Sequence, residues 1–452
     1  MVLSIPVLRS GQERDSRDVR ELYDVNGDPL ARVHEAPALM TRMTAKAMRR
    51  AAAAEDLDRD ELLAALAEAG RLFAEATLGG ESPGEYCRLQ ALASGVPVTV
   101  ARRTLTRLHG DSALLGEVVA RQTPAGAGRT ARWVRRGRVL GVVAPSNHPA
   151  THGAWLQALA MGYGVAVRPG TRDPFTPLRL VRALLAAGLG PDRIALLPGS
   201  HAAADALVRE TDLALVYGSE DTVARYRGDG RVLVRGPGRS KFLVDAPYDR
   251  DEDTLDHLVA EIAADGGVRC TNTTAVFTSG DHRALAEALA ERLAALPAHP
   301  VTDERAVLPV RPRKEAEGLR AAVDRAAQGA PDLAARHYPD GPLAPVGEDS
   351  VALRPAVVAV DRADHPALRT ELPFPCVWVA PWRPSEGVGP LADSLALTLR
   401  TDRADLVGEA LESPTVRTVL HGRTDGWWRD PYLPHDGYLG QFLMEARGFA
   451  GV

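Results

Sequence analysis

An α/β fold of two domains, the first built on a parallel, doubly wound sheet, is what the sequence predicts, and three observations carry it. From residue 139 onward short apolar runs alternate with helix-length segments, the rhythm of repeated strand–helix–strand units. A second series of the same kind begins after residue 251. The chain has 452 residues, more than one hydrophobic core usually organises.

Taken in order, residues 1 to about 50 read as an irregular, charged arm. The first clear helix starts near Asp60, with Leu62, Leu63, Leu66 and Phe73 on one face. A second helical region spans 86–120 and is interrupted near Gly95-Val96-Pro97. The glycine-rich run at 123–128 breaks the pattern, and 129–138, where arginines alternate with Ala131, Trp133 and Val134, reads as a short exposed hairpin. Strands are expected at 139–144, 164–167, 194–197, 213–217 and 241–244, with helices over 152–161, 175–187 and 201–209. Ligands of such sheets bind beyond the carboxyl ends of the strands, so the loops beginning at Pro145, Arg168, Pro198 and Gly218 form the expected rim. In the second series a helix over 251–264 leads into a glycine-led loop, followed by a strand at 274–278 and a helix at 282–296. Residues 310–350 are less regular, and further strands are expected at 356–360, 377–380, 395–399 and 416–421. The tail carries Trp427, Trp428, Tyr432, Tyr438 and Phe442, which suits an interface, a pocket wall or plain core.

Charge and composition exclude several functions. The 54 Lys and Arg against 59 Asp and Glu leave a net charge of -5, so no basic field for nucleic acid is expected. The run 139–167 contains no Asp, Glu, Lys or Arg, but it contains Pro145, Asn147, His148, Pro149, His152 and Gln157, which are costly in lipid; no membrane span is expected. Cys87, Cys270 and Cys376 are widely separated and lack metal-ligand spacing. They suit a reducing compartment, the cytoplasm, with no metal site. No secretory signal is read at the N-terminus.

Two stretches carry chemistry. Gly266-Gly267-Val268-Arg269-Cys270-Thr271-Asn272 sets a lone thiol in a small polar loop beside a cation, the setting that activates a nucleophilic thiolate. A lone cysteine also serves as a small core hydrophobe. At the end of the strand 139–144, Asn147 offers an amide to a developing oxyanion, or caps a turn. No G-x-G-x-x-G follows a strand, and Gly236-Pro237-Gly238-Arg239-Ser240-Lys241 lacks the order a P-loop requires.

In combination, from about residue 60 to the end, the chain resembles the aldehyde dehydrogenase superfamily in five blocks. Gly141 to Pro149 resembles the strand and loop ending in the oxyanion asparagine, which is Asn147 here. Val167-Arg168-Pro169-Gly170-Thr171 resembles the block that holds the adenosine ribose, and Val216-Tyr217-Gly218-Ser219 the turn against the cofactor diphosphate. Gly266 to Cys270 resembles the loop of the nucleophile, and Thr370-Glu371-Leu372-Pro373-Phe374-Pro375 the block whose carboxylate binds the nicotinamide ribose. The resemblance implies an α/β, aldehyde dehydrogenase-like fold: a Rossmann-type cofactor domain over 1–123 and 137–245, a catalytic thiol domain over 246–430 carrying Cys270, and small oligomerisation elements at 124–136 and 431–452. It implies Cys270 and Asn147 as catalytic residues, and Pro145, Ser146, Arg168, Pro169, Gly170, Thr171, Gly218, Ser219, Glu371 and Phe374 as residues binding NADP or NAD. A homodimer or homotetramer acting on a small acyl or aldehyde substrate is expected.

Departures from the family pattern sharpen the expectation. Hydrolytic members resemble one another in a glutamate that activates the deacylating water, and Arg235 stands at that position. A guanidinium is no base near neutrality. Absence of that glutamate is typical of the CoA-acylating and reductive branch, so acyl-thioester reduction, or acylating oxidation with CoA or another thiol as co-substrate, is expected. Arg168 replaces the family's lysine, Thr171 the acidic ribose ligand, and Arg168 or Arg172 is available to a 2′-phosphate, so NADP(H) is expected to be accepted. Phe374 stands one residue further from Glu371 than in the family. The substrate pocket is expected to draw on the helix 152–161 with Trp155, on the flanks of Cys270 and on the aromatic tail. The rivals are a hydrolytic enzyme with Asp265 or Glu261 as substitute base, and a non-catalytic complex partner of the same fold.

Overall fold

Strands buried on both faces have no need of polar alternation, and the runs Val139–Val143, Gly164–Arg168 and Ile194–Leu196 show almost none. In the computed structural model, which describes residues 3–54, 58–127, 130–434 and 436–450, these strands lie side by side in a seven-stranded sheet. Its order is Val232–Arg235, Leu213–Tyr217, Val139–Val143, Gly164–Arg168, Ile194–Leu196, Val7–Arg9, Gln12–Arg14. The first five run parallel and the last two join antiparallel. Alternate side chains enter opposite cores: Leu140 and Val142 pack with Leu66, Leu178 and Leu184, whereas Val139 packs with Met48 and Leu207. The chain runs one way from Val139–Val143 to residue 196 and the other way from Leu213, so the strand order reverses at Val139–Val143 and the loop that follows it opens at the switch point.

The second sheet has six parallel strands, in the order Ala356–Ala359, Cys376–Pro381, Thr273–Thr278, Ser240–Val244, Ser394–Arg400, Val416–His421. The Cys270 loop enters Thr273–Thr278 and the 236–239 loop enters Ser240–Val244, both at the amino edge of this sheet. The space between the two sheets is thus bounded by carboxyl ends of the first and amino ends of the second.

Several expectations need correction. The strand at 241–244, assigned above to the first domain, sits in the middle of the second sheet, so the chain crosses between sheets at 236–239 and not at 245. Residues 3–50 are not an arm: they hold five short strands and most of the helix Ala38–Ala54. Strands of three residues such as Leu3–Ile5 and Val7–Arg9 are too short for a periodic signal, and that helix buries Thr41, Thr44, Ala45 and Ala52 with Met48 as its one large apolar group. The stretch 310–350 contains the helix Arg313–Ala327 and a three-stranded antiparallel sheet of Val310–Pro312, Ser350–Leu353 and Leu343–Pro345. The expected local hairpin at 129–138 is a strand, Ala131–Arg135, paired with Met444–Gly448 near the other end of the chain. Residues 128–129, 435 and 451–452 of the expected oligomerisation elements lie outside the described residues. Among the described residues no helix is long and apolar enough to cross a membrane, and no cluster of His, Cys, Asp or Glu could hold a metal ion.

Candidate active site

The thiol loop is built by three consecutive left-handed residues, Asp265, Gly266 and Gly267, with φ of 54°, 78° and 68°. Glycine adopts such angles freely. At Gly267 a side chain is excluded for a second reason, because a Cβ would lie 2.5 Å from the Pro375 nitrogen. Asn272 staples the turn to the preceding helix Glu252–Ala263: its Oδ1 accepts from Arg269 N at 2.8 Å and its Nδ2 donates to the carbonyls of Glu261 and Ala264 at 2.8 and 3.1 Å. From the other side Ser240 Oγ donates to the Cys270 carbonyl at 3.0 Å, and Gly238 packs so closely that a Cβ would meet that oxygen at 1.9 Å. With its backbone fixed on both sides, Cys270 lines a pocket. Burial pushes its thiol up to about 12; Glu371 and Asp436 push the same way, and the charges of Arg269 and Arg235 oppose them. Cys87 and Cys376 are buried free thiols, likewise raised by burial.

Asn147 lines the same pocket from the loop at the switch point. Its Nδ2 donates to the Val268 carbonyl at 2.9 Å, and its Oδ1 is buried without a hydrogen bond among the described residues. The next residue ties this loop to the thiol loop. His148 Nδ1 accepts from Ala150 N at 3.2 Å, which puts the proton on Nε2, where it is donated to Asp265 at 3.0 Å. Burial holds His148 below its usual range, against the pull of Asp265. Burial alone would raise Asp265, but the His148 hydrogen bond, then Arg269 and Arg103, hold its carboxyl well below the usual carboxylate range. With Arg103 and His148 on its two oxygens, Asp265 has little affinity for a further proton. Glu261 is buried, raised by that burial, and faces Arg269 and Trp427.

Arg235 also lines the pocket beside Cys270. Its Nη1 donates to Tyr217 Oη at 3.4 Å and its Nε lies 3.4 Å from Asp436 Oδ2. Burial raises the Asp436 carboxyl, opposed by Arg235 and Arg417. Arg239 faces elsewhere, onto Glu220, Asp393 and the Arg369 carbonyl. The pocket, ≈ 180 Å³, is walled by Gly153, Ala154 and Gln157 of the helix Gly153–Ala160 and by Trp428, Tyr432 and Tyr438 of the tail. Trp155 is not part of it: the residue is 1% exposed, and its indole N–H donates to His152 at 3.0 Å. The helix face turned toward the pocket is the one with small residues. A further wall, Arg107, Asp111, Leu115 and Val118, comes from helices that carried no chemical motif in the sequence.

Along the rim of the first sheet, Gly170 lies against the Pro145 carbonyl and Ser146 Oγ, where a Cβ would stand 2.3 and 2.4 Å away, and Ser146 Oγ accepts from Arg172 N at 3.1 Å. Pro169 is buried, and the exposed Thr171 offers its carbonyl to Arg20 at 3.3 Å. Gly218 and Ser219 form the turn before the short helix Glu220–Tyr226, and Gly236 is pressed against the Gly218 carbonyl. These loops, closely packed at Gly170, Gly218 and Gly236, lie at the switch point, where sheets of this kind receive a dinucleotide. Four positions differ from expectation. Arg168 is buried and donates from Nε to the Gly199 carbonyl at 2.9 Å, Arg172 is ion-paired with Glu315, and Glu371 accepts from Gly238 N at 2.8 Å and Arg239 N at 3.2 Å, so its carboxylate braces the 236–239 loop. Phe374 is 1% exposed in the core of the second sheet and is not a cofactor contact; the extra residue between it and Glu371 turns the ring inward.

Comparison with known proteins agrees with this fold. The family model described as "Aldehyde dehydrogenase family" matches residues 12–397, reaching further toward the N-terminus than the sequence blocks did. A betaine aldehyde dehydrogenase of Cereibacter sphaeroides (strain ATCC 17025 / ATH 2.4.3) is 27% identical over 298 residues, 61% of this chain and 59% of that protein, so the chain spans about three fifths of the length of this relative. Malonate-semialdehyde dehydrogenase 1 of Geobacillus kaustophilus is 24% identical over 34% of each chain. Among solved structures, an NAD-dependent benzaldehyde dehydrogenase from Corynebacterium glutamicum superposes with a TM-score of 0.79 at 18% identity, covering 98% of this chain and 97% of that one. An NAD+ complex of aldehyde dehydrogenase from Bacillus cereus gives 0.80 at 18% identity, covering 99% and 96%.

Proposed function

The chain belongs to the aldehyde dehydrogenase family, and from that premise we propose that it interconverts an acyl thioester and an aldehyde with NAD(P)(H), through an acyl group carried on Cys270. The observation that carries the reading is Arg235, a buried guanidinium in the Cys270 pocket at the position where hydrolytic relatives have a glutamate. It cannot take a proton from water. Asp265, the nearest carboxylate to the thiol in sequence, is held ionised by His148 and its arginines and is a poor base.

In the reductive direction Cys270 attacks the carbonyl of an acyl thioester, the carbon–sulfur bond to the leaving thiol breaks, and that thiol, CoA or another, departs with the proton. Addition of a hydride to the enzyme thioester and of a proton to the released Cys270 sulfur gives aldehyde and free enzyme; the reverse is acylating oxidation. Asn147 donates to the carbonyl oxygen as charge develops there, once its Nδ2 leaves the Val268 carbonyl. Pro145, Ser146, Gly170, Gly218 and Ser219 would hold the dinucleotide, which when bound supplies or accepts the hydride. Thr171 in place of an acidic residue, with Arg20 at its carbonyl, supports acceptance of NADPH as well as NADH.

One observation favours hydrolysis instead: Asp436, raised by burial and paired with Arg235, is a carboxylate within electrostatic reach of Cys270. The two readings separate in one experiment. Incubated with NADPH or NADH and a panel of acyl-CoA thioesters, the protein is expected to release aldehyde, and Cys270→Ala to release none. Rapid NAD(P)+-dependent oxidation of aldehyde to free acid without CoA, lost in Asp436→Asn, would establish the hydrolytic reading.

A further inference from the structure

Arg269 stands one residue before the thiol with its side chain only 5% exposed, and Nε, Nη1 and Nη2 make no hydrogen bond among the described residues. A buried guanidinium with its N–H groups unmet is costly, and native proteins rarely leave one so. Its nearest carboxylate, Asp265, is 3.7 Å from Nε, beyond hydrogen-bond length, and has Arg103 and His148 on its own two oxygens. Glu261 faces it with charge alone. Trp428 covers the cation, with Cζ 4.3 Å from the ring centroid. Arg107 approaches the same indole at 5.3 Å but is paired with Asp111 at 3.3 Å. Arg235 is paired with Asp436. Arg269 and Trp428 both line the pocket that holds Cys270 and Asn147.

We propose that Arg269, backed by Trp428, is a subsite for a carboxylate on the substrate's own acyl chain, so that the acyl group carried on Cys270 is one end of a dicarboxylic acid. The proposal rests on the thioester–aldehyde reading of the site. With Arg107 and Arg235 already paired and Arg121 exposed and stacked on Tyr432 at 3.7 Å, one buried planar cation of the pocket remains without hydrogen bonds among the described residues, which matches a monoanionic carboxylate held bidentately better than a dianionic phosphate. Because Arg269 and Cys270 are consecutive and the pocket is ≈ 180 Å³, the chain between the two ends of the substrate is short. Trp428 then serves the guanidinium, and no bulky aromatic acyl group is called for.

The test compares succinyl-CoA with butyryl-CoA, which replaces the carboxylate by a neutral end, as substrates for reduction with NADPH. Wild type is expected to favour succinyl-CoA in kcat/KM by about 10- to 100-fold. Arg269→Met should collapse that ratio toward unity whatever its absolute rate, and Arg269→Lys should restore part of it. A ratio near unity in wild type, or one that survives Arg269→Met, overturns the subsite. A second readout needs neither turnover nor a folded variant: succinate should slow alkylation of wild-type Cys270 by iodoacetamide, and butyramide should not. If no thioester is reduced but succinate protects, the subsite stands and the thioester reading falls. If thioesters are reduced but succinate gives no protection, the subsite falls alone.

Discussion

The protonation state of one sulfur sets the rate at which this site can react. Burial favours the uncharged thiol, so the Cys270 thiol at about 12 carries its proton at neutral pH and the thiolate fraction rises about tenfold with each pH unit. Alkylation of the ligand-free protein by iodoacetamide should therefore climb steadily from pH 7 to 10, measured by mass at the peptide containing Cys270. A plateau below pH 8 would mean that Arg269 and Arg235 outweigh burial. In the proposed reaction Asn147 acts at the substrate's carbonyl oxygen. Asn147→Ala leaves the fold intact, since the amide makes a single hydrogen bond, to the Val268 carbonyl. It should lower kcat by about 10²–10³ with a smaller change in KM, the signature of an interaction made as charge develops.

Among the elements, the 236–239 loop does most to position the site, because it joins the two sheets and presses on the thiol from behind. Gly238→Ala places a Cβ 1.9 Å from the Cys270 carbonyl oxygen, backbone against backbone, with no flexible side chain to yield. The expected cost is about 1–3 kcal/mol of stability, read from urea unfolding, together with loss of turnover as the thiol loop shifts. Such a loop shows why some of the site was legible in the sequence and some was not. Cys270, Asn147 and Arg235 lie in short contiguous blocks at strand ends, where glycine spacing and residue type are local signals. The Arg107, Asp111, Leu115 and Val118 wall lies on helices whose periodicity marks their buried face and says nothing of which gap between helices stays open. Glu371 and Phe374 were visible as a block, but only the tertiary fold shows the carboxylate bracing Gly238 and the ring entering the core. Strand pairing was least legible where partners are far apart, as for Val7–Arg9 on the first sheet and Ala131–Arg135 with the C-terminal strand.

At the scale of the molecule, the ribbon of Ala131–Arg135 and Met444–Gly448 stands apart from the two large sheets, with no further strand on either edge among the described residues. Two strands alone are marginal in water, and an unpaired edge is a template for another chain. Phe449, at the end of the ribbon, is 49% exposed. We propose that a second copy of the chain covers this ribbon in a homodimer, or two pairs in a homotetramer. The short helix Leu439–Leu443 that leads into the ribbon is wired to the pocket: Gly440 N donates to Gln122 at 2.8 Å, Gln122 to Gln157 at 2.8 Å, and the Leu443 carbonyl accepts from Tyr163. Gln122 and Gln157 both line the Cys270 pocket. Removing residues 439–452 should therefore do two things at once. Light scattering at micromolar concentration should show a monomer where the full chain shows a dimer or tetramer, and KM should rise more than kcat falls, because Gln122 and Gln157, at and in the helices Leu115–Arg121 and Gly153–Ala160, lose the Gly440 contact that holds them. A full-length chain that scatters as a monomer would remove the ribbon's role in assembly, and a truncated chain with unchanged KM would remove its link to the pocket.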